Sequence, residues 1–559
     1  MISPQETYIP PERGLSQITD GGFDAPLGLD QDDESTQEDT PNAPLQEDQY
    51  GHLHGGASEF AFLHFAKQKL SSLPSMSIDF CDYPLTGSGS SPCVLPPKAI
   101  ADELIRNYFD FGLSTSRFVH QPSFRESYEQ LYGVNAGVGL DHGTLALIYM
   151  IMALGSHYSK VNNTWCGYSA SVQFYDMAKL QLEKQSSHST FASLQARLLF
   201  THYLLNHSRM HEAWSIFGIV VRQAQALGIH RRSTRPTNNH IIHEYRKRLF
   251  WVIYINDRVL SSIFGRPCAI HDDDVDQEEC TLANDEEITV STCQPVSDDT
   301  FCSAAALVHY ARLARILGKI LGEFYRPASK SRTMTQLSES ATEIDRLLNV
   351  WQDSLPPYLN YVVLPPSALS IITQRQMCTL KLSYAHASLL LYRPFILYSM
   401  ESTVRKTSNL EVWVKRCHDK SIVAAKMVVN ECNYLYQRGL FTRAFWMVNY
   451  VQFAAVGTLY MHSHLWPEAT HVRDIAEEAR AQFPVGVEGD FVGQRYVEML
   501  DELSKVTSSP APIPQQSFET PDMAVDFDVS TLDLTMPWSN LFFDPYVFEE
   551  YAGNETAGN

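Results

Sequence analysis

The chain predicts an irregular all-α body held between two acidic segments, and three observations carry that prediction. Apolar residues recur at helical spacing through most of residues 98–506. Strand-like alternation bounded by Asn-Gly or Asp-Gly turns is missing from the sequence. The formal charge of −21 lies entirely at the two ends. Residues 1–66 carry 13 acidic groups against Arg13 alone, and residues 506–559 carry 9 with no Lys or Arg. The stretch between them balances at 42 acidic and 42 basic groups.

Taken in order, residues 1–97 are rich in Gly, Pro, Ser and acid and offer too little apolar surface to offset the entropy of ordering, so they are expected to be disordered. Within them Glu59–Leu70 suits a short helix. Thr86–Pro97 is turn chemistry throughout, and Pro96-Pro97 marks the start of the body. A stripe of Ile100, Leu104, Tyr108, Phe111 and Leu113 opens it. Helical stretches follow over Leu145–Tyr158, Ser171–Lys184, Phe191–Asn206, Cys302–Tyr325, Leu337–Leu355, Ser370–Tyr398, Val412–Gln437, Phe441–His462 and Glu468–Gln482. No repeat of fixed length is found. Gly133–Gly143 follows a helical segment rather than a strand and reads as a connector. In the tail 507–559, acid alternates with Phe518, Phe527, Trp538, Phe542, Phe543, Tyr546, Phe548 and Tyr551. That composition marks disordered activation segments, whose aromatics stay solvated until a partner offers an apolar groove. A tail that packs back on the body is the equal alternative.

Charge and motifs exclude several function classes. A neutral body with acidic ends does not suit direct contact with a phosphate backbone, which needs clustered Lys and Arg. The ten cysteines are dispersed, with no pair at the two-residue spacing of a metal knuckle, and read as reduced thiols. His202/His207 and His462/His464 lack a carboxylate or thiol at helical ligand spacing. Met447–Met461, the longest apolar stretch, is interrupted by Asn449 and Gln452 and falls short of the roughly 20 residues a bilayer needs. There is no G-x-S-x-G elbow, phosphate loop, H-E-x-x-H or strand followed by G-x-G-x-x-G, so no enzyme is expected.

Two strings are the most informative. The first runs A-W-S-I-F-G-I-V-V-R-Q-A-Q-A-L-G-I-H-R-R over Ala213–Arg232. Trp214, Phe217, Val221 and Ala224 fall on one helical face. Gly228 stands where the helix should end, because only Gly takes a left-handed cap without steric cost. Arg231 and Arg232 then meet the negative end of the helix dipole. The second runs from Glu244 to Asp276. Leu249–Ile255 is apolar on every side, as a fully buried helix requires, and contains Trp251. Glu244 and Arg248 are spaced to pair along a solvated first turn. Asp257 and Arg258 interrupt the apolar run and should each meet an opposite charge or a backbone group. Gly265-Arg266-Pro267 ends the helix. Pro267–Ala311 then holds eleven acidic residues and no Lys or Arg, without the Gly of a calcium loop, and reads as solvated.

These strings resemble the regulatory domain of fungal zinc-cluster transcription factors, the middle homology region. F-V-H-Q-P-S-F (Phe118–Phe124) resembles that family's turn between its first two helices, with His120 hydrogen-bonded there. The motif residues are Trp214, Gly228, His230, Arg231, Arg248, Trp251, Asp257, Arg258, Gly265, Arg266 and Pro267. The resemblance covers about residues 98–480. It implies a nuclear regulator of RNA polymerase II transcription, with coactivators or other transcription factors as partners, alone or paired with itself or related factors, and no membrane. It also implies an amino-terminal zinc cluster of six cysteines that reads DNA. Residues 1–97 hold only Cys81 and Cys93, so neither zinc nor DNA contacts carry over; no cofactor is expected, and DNA is reached indirectly. The alternatives are a scaffold that sequesters intact zinc-cluster factors, and a domain that binds a small effector.

Overall fold

The computed structural model describes residues 45–47, 52–70 and 94–508, except 113, 134–136, 159–167, 186–188, 234–237, 298–299, 328, 330–331, 361–368, 402–407, 439–445, 468 and 487–490. The acidic tail, with Trp538, Phe542 and Phe543, and most of residues 1–97, including Cys81 and Cys93, lie outside the described residues.

The body is all-α. Its helices are α1 (Glu59–Leu70), α2 (Lys98–Phe111), α3 (Gln121–Tyr132), α4 (His142–Gly155), α5 (Tyr168–Lys184), α6 (Phe191–Asn206), α7 (Met210–Ala226) and α8 (His240–Phe264). After a long irregular loop come α9 (Ala305–Phe324), α10 (Met334–Asp353), α11 (Ile371–Glu401), α12 (Ser408–Gln437), α13 (Trp446–Leu465), α14 (Thr470–Gly486) and α15 (Phe491–Ser508). Among the described residues the only strands are Gln46–Glu47 and Leu53–His54, paired antiparallel. None of these helices is long and apolar enough to cross a membrane.

Packing follows chain order. α4 packs on α2, α5 and α6, α6 on α7, and α8 on α9; α9 then meets α10 and α11, and α13 gathers α11, α12, α14 and α15. One apolar core runs through all of them, from Phe62 of α1 to Leu503 of α15. α8 is its centre, buried without a break from Lys247 to Phe264, as the all-round apolar run predicts.

Three elements refine the sequence reading. The F-V-H-Q-P-S-F turn opens a helix: His120 caps α3, accepting from the Ser123 N–H, and Pro122 sits in the first turn, where its missing N–H is no loss. A further helix, α15, follows Gln482, its buried face drawn from Val492, Tyr496, Leu500 and Leu503. Finally, Glu59–Leu70 is helical and seven of its first eight residues are buried in the core, so the body begins well before Lys98.

Candidate regulatory site

The two signature strings meet each other, and the acidic loop after α8 joins them. At the end of α7, Gly228 adopts φ +63°. The Ile229 N–H donates to the Ala224 carbonyl (3.1 Å) and the Gly228 N–H to that of Gln225 (3.0 Å), the paired bonds of a left-handed helix cap. Ile229 is thereby turned into the core while His230 is half-buried and Arg231 and Arg232 point out. Burial, then the neighbouring Arg231 charge, holds the His230 imidazole below its ordinary value.

Instead of facing only the helix dipole, the two arginines hold the acidic loop. Arg231 grips Asp276 through Nε (2.8 Å) and Nη2 (3.0 Å), and the Arg232 N–H donates to the same carboxylate at 2.8 Å. The hydrogen bond from Arg231 keeps Asp276 below the usual carboxylate range. Arg232 pairs with Glu278 at 2.8 Å. Gln277 donates to the carbonyls of Ile229 and Arg231, at 2.8 and 3.1 Å.

Along α8, Arg248 is fully buried. Its Nη1 donates to the Tyr245 hydroxyl and to Asp285, both at 3.1 Å, and its Nη2 to the Ala283 carbonyl at 2.6 Å. Glu244 lies 3.5 Å from Nε. Burial works against this guanidinium charge, but Tyr245, Asp285 and Glu244 outweigh it and push the group up. Glu244 and Arg248 thus pair as spaced, but in the interior: Glu244 is 1 % exposed, not solvated. Asp285 also accepts from the Gln121 N–H (3.1 Å), and its carbonyl lies 3.3 Å from His120 Nε2, tying α3 to the same point. Trp251 donates its indole N–H to the Glu278 carbonyl (2.7 Å) and lies under Arg315 of α9, 4.6 Å from the ring centre.

Farther along, Asp257 pairs with Arg258 and accepts from the N–H groups of Ala269 (2.9 Å) and Ile270 (3.2 Å). Burial pushes the Asp257 carboxyl up. Arg258 extends to Asp272 (2.9 Å) across the face of Tyr254, whose hydroxyl donates to the same carboxylate at 2.6 Å. Gly265 closes α8 at φ +64°, Pro267 is exposed beyond the end, and Arg266 lies over Trp214 at 5.2 Å. So the Trp of the first string and the Arg of the second touch.

The acidic loop is therefore not simply solvated. Asp272, Asp276, Glu278, Glu279 and Asp285 each meet a cation from a helix or from the turn after α7, with Glu279 held by Arg312 of α9 at 2.7 and 3.0 Å; Asp273 and Asp274 face water. Sequence reading missed these carboxylates because they meet their partners across the fold, 14 to 45 residues away, rather than at helical spacing. The one hint was the even balance of charge in the body. Chemically the cluster organises rather than reacts. Its charges are matched in pairs, and burial pushes the thiols of Cys268, Cys280, Cys293 and Cys302 up, away from thiolate. Among the described residues no three His, Cys, Asp or Glu side chains are grouped to hold a metal ion.

A buried helix pinned by basic and acidic ties in an all-α body makes the cluster a structural hub. Residues 105–353, from within α2 to the end of α10, match the model of the fungal specific transcription factor domain, and the entire cluster lies inside the matched stretch. Among similar proteins, "Activator of stress genes 1" of Saccharomyces cerevisiae is 29 % identical over 398 residues, 68 % of this chain and 40 % of that protein. An uncharacterized transcriptional regulatory protein of Schizosaccharomyces pombe is 25 % identical, covering 68 % and 46 %. "Activator of stress genes protein 1" of Candida albicans is 24 % identical, covering 66 % and 40 %. The chain spans less than half the length of these relatives. The family description and these names are those of transcription regulators rather than of enzymes.

Proposed function

We propose that the chain regulates RNA polymerase II transcription in a fungal nucleus, with α2–α10 as regulatory scaffold and the tail 507–559 as activation segment. The observation that carries this reading is the domain match over 105–353, supported by relatives named as activators or regulators. DNA is reached through a partner factor or a zinc module outside these residues, and this chain's own residues hold no cofactor. The tail's acid keeps Trp538, Phe542 and Phe543 in water until a coactivator groove takes them.

Fusion of Thr507–Asn559 to an unrelated DNA-binding domain tests the activation role. Reporter output is expected, and Ala at Trp538, Phe542 and Phe543 together should reduce it at least tenfold. A silent fusion discards activation through the tail and favours the scaffold that sequesters related factors.

A further inference from the structure

Residues 52–70 lie outside the matched stretch, yet they touch the end of α8 inside it and α11, α13 and α15 beyond it. Near the start, the Gly55 N–H donates to the Phe264 carbonyl at 3.2 Å, and the Leu53 carbonyl accepts from Arg266 at 3.0 Å. The crossing is backbone on backbone: a Cβ added at Gly55 would sit 2.0 Å from the Gly265 oxygen. Two to four residues on, Arg393 of α11 donates to the Ala57 carbonyl (2.7 Å) and pairs with the Glu59 carboxylate, its guanidinium 4.9 Å from the Phe62 ring. Both charges are at most 2 % exposed. The Glu59 N–H donates to the Tyr450 hydroxyl of α13 (3.3 Å). Gly457 of α13 leaves the hollow that α1 fills, since a Cβ there would stand 3.0 Å from Leu63 and 3.2 Å from Glu59. Lys67 pairs with Glu502 of α15.

We propose that the hollow formed by Arg393, Tyr450, Gly457 and Glu502 is a helix-recognition site whose ligand is the chain's own α1, making residues 52–70 a reversible strap between the end of α8 and the α11–α13–α15 half. A helix is recognised because the floor is a glycine that admits close approach and the anchor is a buried cation that demands a carboxylate at one position. Reversibility follows from the same pair. Two buried charges contribute register more than net stability, and each regains its hydration when the helix leaves. Burial pushes the Glu59 carboxyl up against the pull of Arg393, so desolvation opposes the pair's attraction. The strap thereby couples whatever precedes residue 52 to the signature seam at Gly265.

The full chain carrying Glu59→Lys sets a like charge against Arg393, so the arm leaves and the site opens. A fluorescent peptide of residues 52–70 should then bind that chain saturably, at least tenfold tighter than it binds the wild-type chain. The same peptide carrying Glu59→Lys should bind at least tenfold more weakly. Equal binding to both chains, or none to a folded Glu59→Lys chain, overturns the proposal. If that variant fails to fold, hydrogen exchange of the wild-type chain across a urea series decides. Opening of the 59–66 amides before those of α8 supports the strap, and opening only together with α8 overturns it.

Discussion

Gly228 and Gly265 share a backbone conformation, φ +63° and +64°, in opposite surroundings. Around Gly228 a Cβ would meet nothing within 4 Å, whereas at Gly265 it would stand 2.3 Å from the Gly55 oxygen. Alanine at 228 should therefore cost only the left-handed penalty, about 1–2 kcal/mol. At 265 the same change must also push the arm away, and urea denaturation should show a clearly larger loss. Equal losses would mean that the arm does not press on the α8 terminus. Charges sort by depth in the same way. Arg248→Ala removes a buried cation shared by Asp285 and Glu244, which keep only Tyr245 and Lys247 beside backbone donors, and should lower stability by about 3 kcal/mol. Arg231→Ala removes an exposed pair, its side chain 58 % accessible, and should cost less than about 1 kcal/mol. The sequence makes the conformational roles of Gly228 and Gly265 legible because chirality alone dictates them. It says nothing of Gly55, 210 positions away, since close approach of two backbones leaves no periodic trace.

α11 shows what an element can hide. It runs 31 residues with Pro394 inside, where proline removes a donor and leaves the carbonyl four residues back without its helical bond. That carbonyl belongs to Leu390, and the Tyr325 hydroxyl of α9 donates to it at 2.7 Å. The proline is thus tolerated because a neighbouring helix supplies the missing donor. Tyr325→Phe should cost about 1–3 kcal/mol, the penalty of an unmatched buried acceptor. In a Pro394→Ala background the backbone N–H returns and the same change should cost little. A double-mutant cycle measures the coupling, and full additivity would refute it. Helix existence was largely readable, α6 to its very ends, because an apolar run too long for a strand follows Thr190, which caps it. The start of α3 reads in the sequence as a turn between the first two helices, where Pro122 occupies the first turn of the second. α15 was passed over because its apolar positions are diluted by charge.

Four buried histidines of the helical body are held neutral. Burial drives His202 and His309 down to about 4, and His386 and His418 to about 3. Each is depressed from 6.5, so its contribution to stability is whole above pH 6.5 and is lost as pH falls toward those values. Glu59 acts in the opposite sense: raised from 4.5 to about 7 by burial, it contributes below pH 4.5 and loses that contribution as pH rises through 7. With these four imidazoles outnumbering Glu59, unfolding at about pH 5.5 should take up protons. Melting temperature should therefore drop steeply between pH 6.5 and 5, before most carboxylates titrate. Calorimetry in buffers of different ionisation enthalpy counts the protons directly. A flat profile, or proton release on unfolding, would mean that these imidazoles reach water in the folded state, and that the core is looser around α6, α9, α11 and α12 than their packing requires.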